Sequence, residues 1–186
     1  SSYAQAAAMA MGRAMDDVII SAALGTAFTG ETGSTSTSNA NTIAHGSAGL
    51  TIAKLRTAKQ TLDLGNVDPS IPRHIIVSPK QITDLLGTTE VTSSDFNTVK
   101  ALANGEINSF LGFNFIVSNR LSLSGSTRSC IAYAQDGIAL AVGKDVQARI
   151  DERADKSYAT QVYYCMSIGA TRMEEAKVVE VQATES

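Results

Sequence analysis

The sequence predicts an α+β protein with one elongated half, and three observations carry that expectation. Residues 2–24 have helical periodicity, residues 73–143 alternate short strand and helix patterns, and residues 146–182 turn almost wholly to β, ending in a strand of unusual length. Positions 158–173, YATQVYYCMSIGATRM, would span roughly 53 Å at ~3.3 Å per residue. A compact globule of this size has a radius of gyration near ~16 Å, so its own domain cannot cover such a strand. Something outside the chain is expected to complete it.

Each element follows in order. In the first helix Tyr3, Ala7, Met11, Ala14, Met15, Val18 and Ala22 recur at helical spacing, Arg13 can pair with Asp17 one turn on, and Gly25 is a suitable stop. The rod is ~35 Å long, and Gly12 in its middle suggests close packing or a bend. Residues 30–49 are rich in Ser, Thr, Gly and Asn and predict a loop or flexible hairpin. A second helix over 51–64 places Ile52, Leu55, Ala58 and Leu62 on one side and ends at Gly65.

After a turn with Pro69 and Pro72 comes the strand RHIIVS. Ser78, Pro79 and Gln81 then spell a capping box for a short helix closed by Gly87. A helix over 95–104, a strand from Phe113 and a strand over 129–134 follow, and Asp136 is read as the cap of a brief helix, GIALAV, before Gly143. Val146, Ala148 and Ile150 alternate with Gln147, Arg149 and Asp151 as an amphipathic strand. The long strand places Val162, Tyr164, Met166, Ile168 and Ala170 on an apolar face, and VVEVQA ends the pattern.

Composition narrows the functional classes. The 186 residues carry a formal charge of −3 with 44% hydrophobic residues, so no broad basic face is expected and contact with DNA would be weak and non-specific. No apolar run approaches a membrane span or signal peptide. Cys130 and Cys165, far apart in strand-like segments, read as buried thiols, which predicts an intracellular, reducing origin. The chain starts on Ser1 inside a helical pattern, so a preceding segment is expected to have been removed.

Little of the sequence suggests catalysis. His45, His74, Cys130 and Cys165 lack the short paired spacings of a zinc site, and neither metal nor cofactor is expected. His74 reads as an edge or satisfied core histidine and His45 as a solvated loop residue. The acidic pairs at 16–17, 151–152 and 174–175 diverge in direction and read as solvated or bridged. The patterns GxGxxG, GxxxxGK[ST] and GxSxG are absent. A small hydrolase using Asp16, Asp17 or His74 is the weakest reading, and no catalytic residue is assigned. The charged turn 151–158 reads either as a solvated hairpin loop or as an intersubunit contact in which Arg153 or Lys156 meets a neighbour's carboxylate.

Six segments in fixed order, GRAMDDVIISAALG, LTIAKLRTAKQTLD, RHIIVSPKQITDLLG, INSFLGFNFIVSNRL, AYAQDGIALAVGKD and ADKSYATQVYYCMSIGATRMEEAKVVEVQ, together resemble the major capsid proteins of tailed bacteriophages, the Hong Kong 97 capsid fold family. The resemblance implies a peripheral domain built on a spine helix (1–29), a flexible polar loop (30–49), an axial domain (50–143), and strands completing the peripheral domain (144–186). It implies a non-enzymatic subunit that self-assembles through pentamers and hexamers into an icosahedral shell around double-stranded DNA. Scaffold, protease and portal partners, assembly in the bacterial cytoplasm and final residence in the virion would follow. The family's N-terminal arm and extended hairpin loop have no counterpart in this sequence, so no cross-linking residue is carried over. The alternative is an encapsulin-like compartment, which would enclose cargo proteins instead of a genome.

Overall fold

The computed structural model describes residues 2–87 and 109–185; the helix expected over 95–104 lies outside them. The chain opens with α1 (Ser2–Leu24), matching the expected rod, and Gly25 N closes it on Ser21 O at 2.8 Å. Only Ile20 and Ala23 of this helix are buried. A Cβ built on Gly12 meets nothing within 4 Å. The close packing expected at that glycine is therefore not found.

The polar segment that follows is partly ordered as a hairpin, β1 (Ala27–Thr29) with β2 (Thr35–Thr37), and then supplies β3 (Thr42–Ile43). Thr51 caps α2 (Ile52–Leu64), its hydroxyl accepting from Lys54 N, and the buried face is the expected one: Ile52, Leu55, Ala58 and Leu62. β4 (Arg73–Val77) leads into α3 (Pro79–Leu86), where the capping box forms and Gln81 Oε1 accepts the Ser78 N–H at 3.0 Å.

Beyond the undescribed stretch, β5 (Ser109–Phe110), β6 (Phe113–Val117), β7 (Leu123–Ser124) and β8 (Thr127–Ala134) precede the two longest strands, β9 (Ile138–Arg153) and β10 (Ala159–Arg172). β11 (Val178–Thr184) ends the described chain. The brief helix expected at GIALAV does not form. Those residues begin β9, with Leu140 opposite Ala170 and Val142 opposite Ile168, and long-range pairing overrides the local cap signal.

Among the described residues, two larger bodies of β-structure stand beside the small β1–β2 hairpin. β9 and β10 make a two-stranded antiparallel ribbon with an irregularity at Cys165–Ser167, while a seven-stranded mixed sheet runs β3-β11-β8-β4-β6-β5 with β7 beside β8. β11, expected beside the spine helix with the ribbon, lies instead in the mixed sheet, between β8 and β3. It contributes Val178, Val179, Val181 and Ala183 to the core. Their partners include Phe113, Ile75, Ile131 and the inner face of α2. An apolar, alternating strand goes where a core needs covering, and the mixed sheet with α2 offers a deeper one than the thin ribbon does.

Lys54 ties the polar loop to this sheet. Its ammonium donates to the carbonyls of His45 (2.8 Å), Ala48 (2.7 Å), Gly49 (2.8 Å) and Gln182 (3.0 Å). Loss of water around the charge lowers its pKa from the usual lysine value.

Candidate assembly surfaces

The helix and the ribbon form the elongated part of the molecule. Ala4, Ala7, Met11, Ala14 and Val18 follow one helical stripe and are half-buried, as are Val162, Tyr164, Met166, Ile168 and Ala170 along β10. Contacts near both ends of α1 fix this pairing: Tyr164 Oη donates to Ala4 O at 3.4 Å, and Arg172 donates to Ala23 O at 2.9 Å. Small alanines let the helix lie close to the strand.

β9 is left outside this packing. From Leu140 to its end every residue is exposed, including Leu140, Val142, Val146 and Ile150, the last at 63%. The strand expected to be amphipathic therefore has an apolar stripe that none of the described residues covers.

The turn between the two strands is a single 3₁₀ turn, Ala154–Lys156, followed by Ser157 and Tyr158 at φ of 52° and 58°. Two consecutive non-glycine residues in the left-handed region are costly and present Tyr158 outward, 72% exposed. Of the two cations expected to meet a neighbour, Arg153 is occupied within its own turn: Nε donates to Asp155 Oδ1 at 2.8 Å, raising the arginine pKa and lowering the aspartate's. Lys156 makes no ion pair among the described residues.

Charged contacts tie β10 to the end of α1 and to β2, and tie α1 to the loop between β6 and β7. Arg172, with its side chain fully buried, donates to Ala23 O (2.9 Å), Gly25 O (2.8 Å) and Thr37 O (3.0 Å) and to Glu175 Oε1 at 2.9 Å. Those carbonyls include the ones a helix end leaves without partners. Asp17 does not take Arg13 as expected. It binds Arg120 through both carboxylate oxygens, which lowers the aspartate pKa, because Arg120 brings two donors where Arg13 offers a solvated i,i+4 pair. Sequence reasoning missed Arg172; the available signal was an arginine on the apolar face of an alternating strand.

The remaining candidates have structural settings. His74 stacks on Tyr133 with ring centroids 5.5 Å apart. His45, expected to be solvated, is half-buried, with Nδ1 accepting from Ser47 N at 3.0 Å and lying 3.2 Å from Thr184 Oγ1. Cys130 and Cys165 are both free thiols, the first buried and the second half-buried. A groove of about 650 Å³ lies against the turn that carries Pro69 and Pro72, between Lys59, Asp63 and Asn114. Among the described residues no three His, Cys, Asp or Glu side chains gather as a metal site, and no helix is long and apolar enough to cross a membrane.

Among the described residues, a helix and a long ribbon stand beside a compact sheet unit, with β9 uncovered along most of its length. The chain belongs to the phage capsid protein family, whose model matches residues 1–185. Solved structures share the Hong Kong 97-type fold. A chain from Mycobacterium phage Che8 is 17% identical with a TM-score of 0.73, covering 96% of this chain and 61% of that one. The capsid structure of cyanophage P-SCSP1u is 18% identical with a TM-score of 0.69, covering 100% and 66%. The holo-SrpI encapsulin complex from Synechococcus elongatus PCC 7942 is 9% identical with a TM-score of 0.61, covering 97% and 64%. At such identities the likeness is one of fold. This chain spans between three fifths and two thirds of the length of those chains. No curated protein sequence matches it.

Proposed function

We propose that the chain is the major capsid subunit of a tailed bacteriophage, whose copies close into an icosahedral shell around double-stranded DNA. The observation that carries this reading is the exposure of β9 along nearly its whole length in a chain of the phage capsid family. Obligate interfaces bury ~2,000 to 5,000 Å², and several modest contacts per subunit combine into a closed shell by multivalency. In this reading α1 and the ribbon are the peripheral domain and the mixed sheet with α2 and α3 is the axial domain, set around five-fold and six-fold axes. Arg153 and Lys156 at the ribbon tip face neighbouring subunits. With a net charge of −3 the inner wall confines DNA without gripping it. Scaffold and portal proteins are its assembly partners, the bacterial cytoplasm its place of assembly and the virion its destination.

The encapsulin likeness supports a second reading, a compartment shell that encloses cargo. Electron microscopy of the whole gene product separates the two. Closed shells holding nucleic acid support the capsid, shells filled with protein support the compartment, and a monodisperse monomer at high concentration overturns both.

A further inference from the structure

Among the described residues the edge of β9 away from β10 pairs with no strand, and it carries charges of both signs. Edges of this kind are templates for pairing, and isolated charges along them normally prevent it. Among the described residues Arg149 and Asp151 make no ion pair, although both lie on the polar face of the ribbon opposite Tyr163 and Gln161.

We propose that β9 pairs antiparallel with β9 of a second copy across a two-fold axis centred on Ile150, so that Arg149 of each chain faces Asp151 of the other. The inference rests on the shell reading, since it names one contact between subunits. A two-fold axis normal to a sheet keeps like faces on the same side, so only registers that centre on a residue are open. Centring on Arg149 or on Asp151 sets that charge against itself, and centring on Ala148 puts Asp145 opposite Asp151. Centring on Glu152 sets glutamate on glutamate and runs the pairing into the 3₁₀ turn, and centring on Gln147 faces Asp145 with Arg149 but puts the axis at the ladder irregularity, sets Lys144 against Ile150 and leaves Asp151 opposite Gly143. The register on Ile150 gives two reciprocal ion pairs on the polar face and an Ile150 to Ile150 contact on the apolar face. Directly opposite side chains have Cβ atoms ~4.5 to 5.5 Å apart, close enough for both.

The same arrangement accounts for the uncovered stripe. α1 lies on β10, at the outer side of each ribbon, so joining the two β9 edges makes a four-stranded sheet with the helices at its margins. The exposed Ile150 side chains of both copies then meet on one face between those helices, each flanked by Ala148 of its own chain and Glu152 of the other.

The test uses the full chain with Cys165→Ser, to remove the half-buried thiol, and Ile150→Cys. The expected result under oxidising conditions is a disulfide-linked dimer as the main species, with at least tenfold less linkage from Val142→Cys in the same background. Arg149→Asp or Asp151→Arg lowers linkage at least tenfold, and the double exchange R149D/D151R restores it. Unchanged melting midpoints show that the single variants fold. Equal linkage from positions 142 and 150, or no restoration by the double exchange, overturns the register. Shells that form with no linkage through position 150 overturn this contact and leave the shell reading intact. Linked dimers that never form shells support the contact and count against that reading.

Discussion

Arg128 holds Glu185 with two parallel hydrogen bonds, Nε to Oε1 at 3.0 Å and Nη2 to Oε2 at 2.7 Å. The same carboxylate accepts from Ser78 Oγ at 2.6 Å and Gln81 Nε2 at 2.9 Å, so one acidic side chain ties β8, the start of α3 and the residue after β11 together. The Arg128 guanidinium, followed by Ser78 and Gln81, brings the Glu185 pKa down from 4.5 to about 2.

That shift sets a pH dependence. A carboxylate whose folded pKa lies below its unfolded value contributes stability above the unfolded value, near 4.5, and loses it as pH falls toward about 2. Glu185→Gln should cost about 1 to 2 kcal/mol at pH 7, less than the full shift would imply because the pair sits at a rim that water screens. The corresponding fall in melting midpoint is roughly 2 to 8 °C. Between pH 5 and pH 2 the difference from wild type should shrink. A constant difference across that range would remove Glu185 as its source.

Arg172 is the buried charge with most to lose. It serves three carbonyls and Glu175, so Arg172→Met leaves buried acceptors and a carboxylate without donors. Breaking such a set costs about 3 to 5 kcal/mol, a fall of at least ~6 °C in melting midpoint. Arg172→Lys should recover less than half of it, since a single ammonium cannot span the positions a guanidinium reaches. Full recovery by lysine would mean that charge alone matters there.

Gly12→Ala should stabilise the subunit. The position lies inside α1, and an added Cβ meets open space. Replacing a mid-helix glycine with alanine then gains about 1 kcal/mol, a rise of ~2 to 4 °C that calorimetry would read. A fall would show that the helix needs the flexibility of glycine.

Glycine 12 also marks where sequence reading ends. The helices over 2–24 and 52–64 and the box at Ser78 and Gln81 were legible because periodicity and caps act within a few residues. The family resemblance was legible for the same reason, in short segments held in a fixed order. The start of β9 was not, because Asp136 and GIALAV offer a helix locally while the ladder to 168–172 decides from thirty residues away. The choice of Arg120 over Arg13 by Asp17, the transfer of β11 to the mixed sheet and the carbonyls around Arg172 all depend on which distant segments meet.

The two cysteines offer a measure of how often the core opens. Burial pushes the Cys130 thiol up to about 12, so its thiolate is roughly 10⁻⁴ of the population at pH 8, and no reagent reaches it in the folded state. Cys165 is only half-buried, on the ribbon. Iodoacetamide at pH 8 should therefore alkylate Cys165 readily in the native subunit. Cys130 should react only through opening of the sheet that buries it, a state populated at about 10⁻⁴ or less for a domain of ordinary stability. Mass spectrometry of the two peptides over time gives the ratio of the rates, and urea below the unfolding midpoint should accelerate Cys130 far more than Cys165. Comparable labelling of both in buffer would mean that the β8 to β11 core is not closed as described.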